Sequence, residues 1–138
     1  MIENRQLAFL KLSFIIGVIA DFAVGIDWLL ISLGYRIPNL ISSFNGQGAD
    51  YRFAMYICTM FMFGWTAILF WGYLKPLERR GLLIITSGLL LISIVVELLF
   101  YRNILPAMGT GIILRLLIIG KFTFSYFYSF STRTFGTR

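Results

Sequence analysis

The chain has 138 residues, of which 59% are hydrophobic and 13% charged, whereas a soluble domain carries about 25% charged residues; an ordinary soluble globular domain is excluded. Its net charge of +6 would suit a nucleic-acid binder, but the lysines and arginines stand at the ends of apolar runs and form no basic face, so they read as signals of membrane topology and nucleic acid is not expected as a partner. One cysteine, Cys58, and no histidine leave no internal disulfide, no CxxC pair and none of the usual haem, zinc or His-based triad chemistries, so no cofactor, metal site or catalytic residue is expected.

The first apolar stretch runs from about Leu12 to Leu33. It follows Arg5 and Lys11 as a signal peptide would, but it is too long for an h-region, contains Asp21 and Asp27 and lacks a small-residue cleavage site; it is expected to remain as the first transmembrane helix. Ser13, Gly17, Asp21, Gly25, Trp28 and Ser32 recur along it at steps of three and four, a stripe of small residues that would let a neighbouring helix approach closely.

The connection from Gly34 to Tyr51 carries Pro38 and the flexible run Asn45-Gly46-Gln47-Gly48, with Asp50 placed to cap the next helix. A plain connector is preferred to a lid over the mouth of the bundle. The second stretch, Phe53 to Leu74, carries Tyr56, Thr59, Phe63, Thr66, Phe70 and Tyr73 on one face, and Cys58 within it reads as a packed thiol.

A short turn, Lys75-Pro76-Leu77-Glu78-Arg79-Arg80-Gly81, joins this stretch to the third, Leu82 to Tyr101, and predicts that the two helices are antiparallel neighbours. Thr86, Ser93 and Glu97 share a face of the third. Arg102, Pro106, Gly109 and Gly111 should end it and start the fourth, Ile112 to Phe130, along which Lys121, Ser125, Tyr128 and Thr132 are spaced as on one face. The aromatic alternation from Phe122 to Phe130 could be a strand, but with no partner strand in the chain it reads as helix.

Each stretch is long enough to cross a bilayer, which takes about 20 helical residues. The fold class is therefore all-α: a polytopic membrane protein, one domain over residues 1–138, built as a bundle of four transmembrane helices with no appended soluble domain. Placing both termini in the cytoplasm puts Arg5, Lys11, Lys75, Arg79, Arg80, Arg133 and Arg138 on that side, against Arg36, Arg52 and Arg102 on the other. The excess favours this orientation, in the cytoplasmic membrane of a bacterial cell.

Asp21, Asp27, Glu97, Arg115 and Lys121 lie inside these spans. Hydrocarbon makes a charge expensive, so such residues usually face a partner, a cavity or a substrate path. Six residues separate the two aspartates, and six separate Arg115 from Lys121 on the antiparallel fourth helix, about 9 Å in each case. Matched ladders are predicted: Asp21 level with Lys121, and Asp27 level with Arg115. Glu97 falls near the upper rung with Arg102 just above, which gives an outer cluster with an odd carboxylate, Glu97 first and Asp27 second. The candidate binding residues are Asp27, Glu97, Arg115, Asp21, Lys121 and Arg102.

Two functions compete. A pocket in the outer half could bind or transport a small solute, a cation or a proton, in which case four helices would assemble as a homo-oligomer. Alternatively, the chain is a non-catalytic subunit or assembly factor whose spare charges meet a partner membrane subunit. An enzyme acting on a lipid or isoprenoid ranks third, because no nucleophile with a base and no acidic metal motif is visible.

Overall fold

A computed structural model describes residues 2–35, 46–101 and 108–130. Among the described residues the structure is all-helical: α1 (Ile2–Ser32), α2 (Ala49–Leu74), α3 (Gly81–Phe100) and α4 (Met108–Tyr128). All four are long and apolar enough to span a membrane. Arg36, Pro38, Arg102, Pro106, Thr132 and most of the long connection after Gly34 lie outside the described residues.

α1 begins ten residues before the expected start, because its first turns are not a solvated leader. Gln6 and Leu10 are buried, and Gln6 Nε2 donates to the Tyr128 carbonyl at 2.9 Å. Its other end stops at Gly34, whose φ of 92° suits a residue without a side chain. There Tyr35 N–H donates to Leu30 O and Gly34 N–H to Ile31 O, a paired closure that satisfies the last carbonyls of the helix. At the start of α2, Gly48 is the N-cap and no side chain caps the helix. Asp50, expected as the cap, is instead in the first turn, where its charge meets the positive end of the helix dipole.

The short turn does not make α2 and α3 close neighbours. α1 packs most extensively on α2, and α3 on α4, with a smaller α1–α4 contact that joins the two hairpins. Close helix approach requires small residues, and they lie between α1 and α2: Gly25 faces Phe63, Gly72 faces Phe14, and Gly17 fits between Leu69 of α2 and Phe122 of α4. The end of the molecule that carries the 75–80 turn is called the turn end below, and the opposite end the loop end.

The two hairpins are joined near the turn end. Leu10, Phe14, Leu69, Leu83 and Phe122 form one buried cluster, flanked by Val18, Trp65, Tyr73, Leu82 and Ile118. Ser13 and Ser125 share a buried hydrogen bond of 2.7 Å between α1 and α4, and Phe9 packs edge-on against Phe124 and Tyr128. Two adjacent arginines of the turn close different helix ends. Arg79 stacks on the Trp71 ring at 3.5 Å and donates to the Trp71 carbonyl at the end of α2. Arg80 stacks on Phe130 at 3.5 Å and donates to Ser129 Oγ at 3.1 Å at the end of α4. A cation at a helix C-terminus also opposes the macrodipole favourably.

Candidate functional site

The faces buried at the turn end continue as stripes toward the loop end. On α1 the buried positions toward the turn end are Gln6, Leu10, Ser13, Phe14 and Gly17, with Gly25 buried farther along, and the next steps along the stripe after Gly17 are Val18 and Asp21. On α4, Ser125 and Phe122 are buried, as is Ser129 just past its end, and Ile118 is half-buried; three residues further on comes Arg115. On α3, Leu83, Thr86, Ser87 and Ile94 are buried, and Glu97 follows at the same spacing. Three charged residues thus continue three inward stripes just above the apolar cluster.

Depth follows from the contacts. Since Ser13 meets Ser125, eight residues along α1 to Asp21 correspond to eight back along α4, at Leu117. Lys121 therefore lies four residues from the level of Asp21, about 6 Å nearer the turn end, and Arg115 only two residues, about 3 Å, beyond it on the loop side. On α2, the contacts of Gly17 with Leu69 and of Gly25 with Phe63 bring Trp65 and Thr66 to this level.

The matched ladder is displaced by one turn, and its pairs are not the ones expected. Lys121 places its ammonium 4.6 Å from the centre of the Phe9 ring on α1, a cation–π contact rather than a contact with Asp21. Arg115 pairs with Glu97 of the adjacent helix, both side chains half-buried, and also reaches Ser93 Oγ at 3.5 Å. Glu97 is therefore not the odd carboxylate. Asp27 lies farther toward the loop end, half-buried on α1, where it acts electrostatically on Tyr51 of α2. Among the described residues Asp21 has neither a hydrogen-bond nor an ion-pair partner.

The six predicted site residues thus separate. Glu97 and Arg115 are brought into contact, Asp21 stands at nearly their depth on the other hairpin, Lys121 and Asp27 belong to levels below and above, and Arg102 lies outside the described residues. Sequence reasoning assigned no role to Ser93 as a partner of Arg115, to Val18 and Ile118 as the apolar layer beneath the charges, or to Trp65 as their apolar neighbour on α2. A three- and four-residue count back from each buried stripe could have found them. Thr59, Thr66, Thr86 and Ser87 donate their hydroxyls to carbonyls four residues back, and Ser93 donates to Leu90. Their donor needs are met within their own helices, and only acceptor lone pairs remain.

Two further expectations change. On α2 the buried positions are Met55, Thr59, Thr66, Leu69 and Gly72, whereas Tyr56 and Phe70 of the expected stripe are exposed. Cys58 is half-buried rather than packed in the core. A shallow hollow of about 180 Å³ opens at the turn end, lined by Leu7, Lys75, Pro76, Leu77 and Glu78. It lies well away from the charged layer.

Comparison with protein families, with curated proteins and with solved structures gives no match.

Proposed function

We propose that this is an integral membrane protein that binds a small solute, a cation or a proton at the layer formed by Asp21, Glu97 and Arg115 and carries it across the bilayer, working as a homo-oligomer. The observation that supports this most directly is the carboxylate of Asp21, without a partner among the described residues, half-buried near the middle of a helix long and apolar enough to span a membrane and level with an ion pair already neutralised within the other hairpin. A carboxylate in such a place is stable only with a proton, a cation or a basic group supplied from elsewhere. The excess of lysine and arginine at the turn end supports cytoplasmic termini, which directs the loop end outward.

Reconstitution in liposomes with an imposed membrane potential and an internal pH dye tests this reading. Wild-type protein should carry a proton or monovalent-cation current that Asp21→Asn abolishes at equal incorporation. An equal current in the variant rejects Asp21 as the carrier.

The second reading, an accessory subunit, draws on the same carboxylate, which a basic residue of a partner helix could satisfy. Purification followed by mass measurement separates the two. A self-contained homo-oligomer counts against the accessory role.

A further inference from the structure

We propose that the charged layer takes a monovalent organic cation with an apolar body, its positive charge held at Asp21 and its body lying between the two hairpins. This rests on the reading of the layer as a binding site, and it specifies the class of ligand.

Charge sets the valence. Among the described residues the ionisable groups at this level are Asp21 of α1, Glu97 of α3 and Arg115 of α4; α2 contributes Trp65 and Thr66, neither of which ionises. Glu97 and Arg115 neutralise each other, and one negative charge remains. One positive charge cancels it, a divalent cation leaves a net positive charge in hydrocarbon, and an anion doubles the deficit. Asp27 and Lys121 sit on neighbouring levels, and Lys121 is directed to Phe9 rather than into the layer.

Coordination argues for an organic cation rather than a bare metal ion. A hard cation asks for about six oxygen ligands. Among the described residues no three acidic, histidine or cysteine side chains come together. The hydroxyls at this depth, Thr66 and Ser93, are turned to the carbonyls of Met62 and Leu90. An ion that keeps its charge inside an apolar shell needs only the single carboxylate.

The surroundings suit such a shell. The floor is the half-buried pair Val18 and Ile118 resting on the core cluster, with Trp65 packed against the same cluster from the level of Asp21, and an indole favours a cation by its quadrupole as well as by its area. Ile19 and Phe22 of α1 and Leu114 and Leu117 of α4 are exposed at nearly the same depth, so the approach from the bilayer is apolar. Among the described residues, the contacts Gln6 to Tyr128, Ser13 to Ser125 and Gly17 to Phe122, which join the hairpins, lie on the turn side of this layer.

The probe is tetraphenylphosphonium, measured by equilibrium dialysis against the full chain in detergent. Saturable binding is expected, weakened at least about tenfold in Asp21→Asn, a loss that reflects removal of the one uncompensated charge, and retained in Asp21→Glu. Triphenylphosphine oxide, similar in shape but uncharged, should not compete on the wild-type protein, a control that does not depend on any variant folding. The proposal is overturned by absent saturable binding, by equal binding in Asp21→Asn, or by competition from the neutral compound. Asp21-dependent proton flux without phosphonium binding would overturn this ligand class alone and leave the layer as a transport site, whereas loss of both would remove the site.

Discussion

Gly17 has no room for a side chain: a Cβ there would stand 2.9 Å from Phe122 and 3.0 Å from Leu69. Both neighbours are fully buried, so neither can yield cheaply. Gly17→Val should destabilise the bundle by about 1–3 kcal/mol through overpacking. At Gly88 nothing lies within 4 Å of the same point, and Gly88→Ala should be neutral or stabilising by up to ~1 kcal/mol; thermal unfolding in one detergent checks both. The Ser13–Ser125 hydrogen bond should show a coupling of roughly 0.6 kcal/mol in a double-mutant cycle to alanine, a typical value for polar contacts between membrane helices. These contacts were partly legible beforehand. The small-residue stripe through Ser13, Gly17 and Gly25 stands out by its period, but nothing in the sequence says that Ser13 meets Ser125, and that one pairing sets the depth of every charge. An apolar run tolerates a slip of one turn at little hydrophobic cost, so Asp21 and Lys121 read as level when they are about 6 Å apart in depth.

At the scale of elements, the sequence Glu78-Arg79-Arg80 carries more than topology. Adjacent arginines serve different helices, Arg79 closing α2 through Trp71 and Arg80 closing α4 through Ser129 and Phe130. Arg80→Ala should therefore raise amide hydrogen exchange at the end of α4, and Arg79→Ala at the end of α2, each with a loss of about 1 kcal/mol. A result in which both variants loosen the same helix would contradict this division. The four helices themselves were legible from uninterrupted apolar length, and their pairing was not. A six-residue turn suggests that α2 and α3 lie side by side, yet packing follows the glycines, and Gly25 and Gly72 tie α2 to α1. Helix start points were missed for a related reason: Gln6 is a polar residue that hydropathy assigns to water, while a carbonyl on α4 holds it inside.

For the whole molecule, the apolar cluster concentrates stability at one end and the charged layer stands just beyond it. Glu97→Gln leaves Arg115 half-buried with no carboxylate, so it should cost more than the double change Glu97→Leu with Arg115→Met, which removes both charges. Measuring the two unfolding midpoints side by side decides whether this pair stabilises the fold or is retained for another purpose. The charge excess was legible as a count, three acids against two bases within the spans. Which acid remains unmatched required coordinates, because Arg115 could have turned to either hairpin.

Consider finally the joint near Ser13 and Ser125. Beyond Val18, fourteen more residues of α1 run to Ser32, an arm of about 21 Å. A tilt of roughly 10° about that joint would swing the tip by close to ~4 Å, a displacement of the order of known hinge and shear motions. The fold has the layout of a pair of tweezers: a riveted heel, two long blades, and an acidic tooth on one blade set just past the rivet.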